Sequence, residues 1–390
     1  MADVLVLGGG PGGAATAIAC AQSGLRRVVL VEREAFPREH VGETLHPGVE
    51  PLLEQLGVAD TVRRAGFLRH KGNWVEWAGE RRFEAFGADD ATGAWTGLQA
   101  WRADFDAILL ARARALGVLI LQPCQAVRPL HDQDGRIAGV ETSAHPVTAS
   151  FVVDAAGDRH WLARQLGLEI KKYSQRLTAR YGYAEGACAA RDDAPSIVSD
   201  ARGWTWTARV RPNLYQWTRL SLGGDASVDA DASVDAAGDI VGDRGGGDVG
   251  DDRGDDRGDD RGGDRRVEAG QIEREWLPAE FRTLRRRGAA RGADVTWRMV
   301  ARPAGAGYFL VGDSAAVLDP ASSHGVLKAI MSGIMAAHYI THIFGRNVAE
   351  REAAERYSDW LKSWFEHDVA RLRELYSIFD APTHTPPLTP

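Results

Sequence analysis

The sequence predicts an α/β protein: a Rossmann-like nucleotide-binding domain on a parallel sheet, an interleaved and mostly antiparallel β-sheet domain, and C-terminal helices. Three observations carry this. Val4-Leu5-Val6-Leu7, a glycine cluster, a small-residue helix from about Gly12 to Ser23 closed by Gly24, and Val28–Val31 make a minimal βαβ unit. Far downstream, Tyr308–Val311 is a second buried-type strand, followed by a long apolar helix from Gly325 to about Phe344. Between them lie short alternating and aromatic runs of the kind antiparallel strands use. At 390 residues the chain can fill two such bodies.

Taken in order, the fully apolar first strands suit a parallel sheet covered on both faces. Residues 49–57 read as a short amphipathic helix stopped by Gly57, and Arg102 to Leu116 as a strong helix stopped by Gly117. Residues 74–100 belong to the antiparallel sheet. Strand-like runs follow near 118–121, 125–129, 136–141 and 147–153, then at 177–184 and 204–222. Residues 349–378 are one or two amphipathic helices. Their Trp360 and Trp364, like Leu361 and Phe365, recur at i, i+4 and are expected to dock on the body. The Pro-rich end, 382–390, is expected to fray. Residues 1–73, 101–167 and 296–345 thus form a discontinuous nucleotide-binding domain, 74–100 and 168–295 the second domain, and 346–390 a helical region and tail.

The formal charge of -7 is local: residues 223–266 hold 14 Asp and 6 Arg, a net of -8, leaving the remainder near +1. A nearly neutral body gives no case for nucleic acid or an anionic membrane as partner. The Asp-Asp-Arg-Gly repeats have almost nothing to pack, so 223–266 is expected to be a disordered insertion, placed like an expanded hairpin loop. Cys20, Cys124 and Cys188 make neither a disulfide framework nor a metal site. No stretch looks close to the roughly 20 apolar residues that span a bilayer, and the N-terminus lacks a secretory layout. A cytoplasmic enzyme is expected.

Gly8, Gly10 and Gly13 spell G-x-G-x-x-G after a strand and at the opening of a helix, with Pro11 inside the turn. The first glycine permits the turn, the second lets backbone approach a diphosphate, and the third lets helix and sheet lie close. Free N–H groups at the helix start then hold the diphosphate. Glu32, at the end of the second strand with Arg33 beside it, is placed to accept from an adenosine ribose. Gly245, Gly247 and Gly250 repeat the spacing inside the Asp/Gly tract. Without a strand before or a helix after, that copy is a false match and leaves no separate NADPH domain.

Three glycines fit a nicotinamide as well as a flavin. The choice falls on FAD because Leu310-Val-Gly312-Asp313, and Asp319-Pro320 through His324-Gly325-Val326, follow a strand and enter a long helix. Asp313 is placed to hold a ribityl chain, and the helix aims its positive end at the negative charge that flavin reduction creates.

With these motifs the chain resembles the flavoprotein monooxygenase superfamily of aromatic hydroxylases, flavin-dependent halogenases and geranylgeranyl reductase-type enzymes. Gly8–Gly13 and Glu32 resemble its ADP-binding motif. Arg102-Ala-Asp-Phe-Asp106 resembles its Arg-x-x-Phe-Asp element, and Asp154-Ala-Ala-Gly157 its turn near the diphosphate. Gly42-Glu43-Thr44-Leu-His46-Pro47 is similar to the loop that lies against the isoalloxazine in halogenases and their hydroxylase relatives. Trp204-Thr-Trp206 has two halogenase tryptophans but lacks the Ile-Pro that follows them. The halogenase lysine falls within Phe67–Gly72, where Lys71 is available. Gly42 to Pro47, Arg291 to Arg298 and Ser323–Gly325 are also similar to flavoproteins that hydroxylate a peptide tryptophan in quinone cofactor biogenesis.

The resemblance implies an aromatic-hydroxylase-type FAD domain, reduction by NAD(P)H or by a separate flavin reductase, and reaction with O2 to a C4a-hydroperoxide. The partner is then an organic, aromatic substrate, free or peptide-borne. Hydroxylation is the expected reaction, with halogenation, a C=C reductase or dehydrogenase, and a non-enzymatic FAD-binding partner as alternatives. His46 and His324 are candidates for proton transfer, and Lys71 for halogen transfer. Glu43 is expected to shape its loop, and Trp74, Trp204 and Trp206 either line an aromatic pocket or pack a core.

Overall fold

Every side chain of Ala2–Leu7 and Val28–Val31 is buried, as a strand covered on both faces requires. Ala2–Leu7 lies between Val28–Val31 and Val147–Asp154, parallel to both. Leu119–Leu121 and Tyr308–Leu310 extend this parallel sheet at either side, and Ile137–Thr142 and Ala126–His131 join it as an antiparallel pair. The carboxyl ends of the parallel strands therefore bring the turns at Gly8, Glu32, Asp154 and Val311 together. The computed structural model describes residues 1–77, 79–87, 89–90, 93–222 and 277–377. The expected disorder at 223–266 and fraying at 382–390 lie outside the described residues.

The helix Pro11–Gln22 packs directly on the long helix Gly325–Phe344. A Cβ on Gly333 would sit 2.4 Å from the Gly12 carbonyl oxygen, so only glycine permits this approach. By length and composition the long helix, with a mean hydropathy of 1.2 over its best 18 residues, passes a test for a membrane span that buried core helices pass as well. In the fold its Ile330, Ser332, Gly333, Ala336, Ala337 and Ile340 are buried.

The second sheet has seven strands, in the order Arg285–Asp294, Thr178–Glu185, Leu214–Ser221, Gly203–Arg211, Ser196–Asp200, Gly72–Trp77, Glu80–Ala85. Only the pair Ser196–Asp200 with Gly72–Trp77 is parallel. Ser196–Asp200, short and half polar, was not among the expected strands. The hairpin reading of the insertion is also corrected. Leu214–Ser221 and Arg285–Asp294 both ladder onto Thr178–Glu185, on its two edges. A strand's N–H and C=O groups point alternately to either side, so the two flanking strands are not hairpin neighbours.

A single helix, Glu350–Tyr376, ends the described chain. It buries Tyr357, Leu361, Phe365, Val369, Leu372 and Tyr376, with Trp360 and Trp364 half-buried against the same core. Tyr376 is where three bodies meet. The fully buried Trp204 donates its indole N–H to the Tyr376 hydroxyl (2.6 Å), which donates to Asp319 Oδ2 (2.6 Å). Trp206 is half-buried against the core, and Trp74 lies under the Arg81 guanidinium.

Candidate functional site

At the glycine turn, Gly8 takes φ +99°, and a Cβ there would lie 2.4 Å from the Ala155 oxygen. A Cβ on Gly13 would lie 1.9 Å from the Gly8 oxygen. Both positions are closed to any side chain, whereas Gly10 faces open space bounded by Arg38 Nη2. Pro11 begins the helix and no side chain caps it, so its first N–H groups stay available to an anion. Glu32 is buried and accepts from Gly9 N (2.6 Å) and Glu34 N (2.8 Å). Arg33 is exposed and pairs with Glu34. Arg38, which sequence reasoning passed over, stacks on Phe36 and has its Nε buried without a partner. A cradle closed to Cβ atoms, an uncapped helix start and a nearby guanidinium fit a dinucleotide diphosphate.

Arg102 organises the next part. Buried at the start of its helix, it holds Asp106 through two parallel bonds (2.8 and 2.9 Å) and donates to Val41 O (2.7 Å). This clamps the loop at Gly42, whose φ is +96°. Glu43 is buried and accepts from Gly42 N (2.9 Å) and from the Tyr183 hydroxyl (2.5 Å), so the second sheet pins the loop from the other side. Burial pushes the Glu43 carboxyl up. Thr44 Oγ1 donates to Gln99 (2.9 Å). Nothing local in the sequence marks Tyr183.

On the far strands, Asp154 is fully buried and accepts from Ala156 N, Leu162 N and Ser314 Oγ, while Gly157 N donates to Ser314 Oγ. These two residues shape the turn. His160 Nε2 accepts from Arg298 Nε (2.9 Å), which leaves its Nδ1–H to donate to Ser314 O. Asp313 lies in the short turn Gly312–Ser314 that follows the strand Tyr308–Leu310. Crowding by protein and the nearby Asp158 push its carboxyl up to about 6. Gly312 N donates to Ser332 Oγ. Gly325 starts the long helix, and a Cβ there would meet nothing within 4 Å. Pro320 lies in a short turn capped by Asp319, and Val326 meets Gly42.

Between the two loops lies a cavity of about 440 Å³, lined by Thr44, His46, Asn73, Phe86, Ala321, Ser323, His324 and Arg371. The His46 and His324 rings are 5.0 Å apart, and Phe86 meets His46 edge-on at 5.5 Å. His46 Nδ1 accepts from Gly48 N (3.0 Å), so its proton sits on Nε2. Burial lowers the proton affinity of both rings. His324, which also feels Lys328, His46 and Arg371, is pushed down to about 4. Both imidazoles are thus neutral at pH 7. Lys71 is exposed at a bend and does not line the cavity, while its neighbour His70 is buried against Phe86. Trp74, Trp204 and Trp206 do not line it either. Asn73, Phe86 and Arg371 were missed because separate elements bring them in.

A family profile described as FAD binding domain matches residues 1–207. Tryptophan 2-halogenase of Chondromyces crocatus is 28% identical over 392 residues, spanning 96% of this chain and 68% of that protein. The 1H-pyrrole-2-carbonyl-[peptidyl-carrier protein] brominase of Pseudoalteromonas luteoviolacea is 27% identical, spanning 97% and 86%. The structure of a myxobacterial chondrochloren halogenase superposes with a TM-score of 0.77 at 25% identity, covering 98% of this chain and 84% of that one. These matches overturn the expectation of a hydroxylating monooxygenase: both of these relatives, each spanning nearly all of this chain, are halogenases. The likeness to quinone-cofactor enzymes yields to the halogenase branch for the same reason. Trp204 and Trp206 serve packing here, and Trp204 anchors Tyr376.

Proposed function

This chain belongs to the FAD binding domain family, an FAD-dependent oxidoreductase of the flavin monooxygenase and halogenase superfamily, and from that premise we propose that it halogenates an electron-rich aromatic substrate. The full-length similarity to halogenases carries the reading. In it, the Gly8–Gly13 turn would hold the diphosphate of FAD, Glu32 its ribose, and the Gly42–Thr44 and Pro320–Val326 loops would flank its ring system beside the cavity. Once reduced, by NAD(P)H or a separate flavin reductase, the bound cofactor would supply with O2 the oxidising equivalents that turn halide into an electrophilic halogen.

The chain's own residues bind and orient. Arg102 and Tyr183 fix the Gly42–Thr44 loop; Asp319 and Tyr376 fix the other. His46 presents an Nε2–H donor, and a neutral His324 beside it can accept a proton from the ring carbon being substituted.

The test is turnover of the FAD-loaded chain with a flavin reductase, NADH, O2 and indole, with and without bromide. The expected product carries the bromine isotope doublet and requires bromide. A product gaining oxygen at equal rate in both reactions would sink the proposal.

A further inference from the structure

The cavity has an electrostatic bias that the halogenation reading does not use. Two neutral imidazoles, the Phe86 ring and the Arg371 guanidinium line it, and no carboxylate does so among the described residues. Arg371 comes from the C-terminal helix Glu350–Tyr376. Other cations there are matched. Lys328, which reaches over from the long helix, pairs with Asp368, Lys362 pairs with Glu366, and Arg373 donates to Tyr173 O. Arg371 has no ion pair or hydrogen bond among the described residues. Its charge is nevertheless felt inside the cavity, where it helps to depress the proton affinity of His324.

A second observation concerns Asn73, also in the lining: its Oδ1 is buried without a hydrogen-bond partner. A buried polar atom left unpaired costs about 1–3 kcal/mol, and a ring N–H entering the cavity would meet it. At about 440 Å³ the space suits a molecule of one or two rings. Arginine matches a carboxylate through two parallel N–H bonds.

We propose that the substrate is a free aromatic carboxylic acid, and that Arg371 at the cavity wall is the specificity-determining residue that takes its carboxylate. The proposal rests on the reading of this cavity as the substrate chamber of a halogenase. It commits to a free acid because an acyl group tied to a carrier or a peptide presents no carboxylate to Arg371.

Binding alone tests it, without halide, reductant or turnover, so its failure is separable from failure of the halogenation reading. The FAD-loaded chain is titrated by calorimetry with indole-3-acetate, indole-2-carboxylate, pyrrole-2-carboxylate and 4-hydroxybenzoate, each beside its primary amide. At least one acid is expected to bind about tenfold or more tighter than its amide, a difference of about 1.4 kcal/mol. Arg371→Gln should remove that preference while leaving the amide's affinity unchanged, and Arg371→Lys should restore part of it. Arg373→Gln, two residues along the same helix, should keep it whole. FAD content and near-UV circular dichroism serve as controls for folding. Equal binding of acid and amide, no binding by any of the four acids, or a preference that survives Arg371→Gln would each overturn the proposal.

Discussion

At the scale of single residues, the site is governed by burial working against charge. Asp319 illustrates it. It accepts from Ala321 N, Tyr376 Oη and, at 3.4 Å, Trp297 Nε1, yet its exposure is only 1% and burial outweighs the three donors. Its carboxyl is pushed up to about 6 from an ordinary 3.8. A raised carboxyl favours the protonated form in the folded state. Its contribution to stability is therefore complete below about pH 4 and is lost as pH rises through about 6. Wild type should gain on the order of 2–3 kcal/mol over Asp319→Asn between pH 7 and pH 4, read as the difference between their urea unfolding free energies at each pH. A difference that stays flat would mean the carboxylate is ionised throughout. His324 works in the opposite direction: depressed to about 4, it costs stability as pH falls below its ordinary value of 6.5. Only the difference between the two proteins isolates Asp319.

At the scale of elements, two glycines of the long helix should separate folding from cofactor binding. Gly333→Ala puts a Cβ 2.4 Å from the Gly12 oxygen and must push the first helix away. It should cost about 1–3 kcal/mol in urea unfolding and also weaken FAD binding, because the diphosphate turn moves with that helix. Gly325→Ala meets nothing. It should leave unfolding unchanged or slightly raised, yet weaken FAD as measured by flavin fluorescence quenching, since the open space there faces the proposed ring system. Equal loss of FAD affinity in both, with equal loss of stability, would remove the distinction. The same contrast explains what was legible in the sequence. The glycine turn, Glu32, Arg102 and the Gly312-Asp313 block were readable because each is contiguous and its spacing is set by one backbone turn. Tyr183, Asn73, Phe86 and Arg371 were not, because sheet register and helix docking decide which side chains face inward. Strand parity shows this at Arg69 and His70, where adjacent residues point to opposite faces and only His70 is buried; Lys71, at the bend after the strand, is exposed. The flanks of the 223–266 insertion misled for a related reason: strand neighbours in sequence are separated in the sheet by Thr178–Glu185.

At the scale of the whole molecule, the two sheets and the C-terminal helix are tied at the cavity rather than merely stacked. Glu43 and Tyr183 join the Gly42–Thr44 loop to the second sheet. Trp204, Tyr376 and Asp319 join the second sheet, through the C-terminal helix, to the second loop. Trp77 Nε1 also donates to Leu375 O (3.1 Å), so the sheet grips the helix one residue before Tyr376. This arrangement makes the end of the helix a part of the site, and Arg371 is delivered to the cavity by the same docking. A double-mutant cycle measures the tie. Tyr376→Phe alone leaves the Trp204 N–H and the Asp319 carboxyl each short of a buried partner; Asp319→Asn alone alters the other end. Because both act on one hydrogen-bonded chain, their effects should fall short of additivity by about 1–3 kcal/mol. Urea unfolding of the four proteins at pH 7 gives the coupling. If the two costs add to within about 0.5 kcal/mol, the helix and the Asp319 loop are held independently, and the C-terminal helix is packing alone.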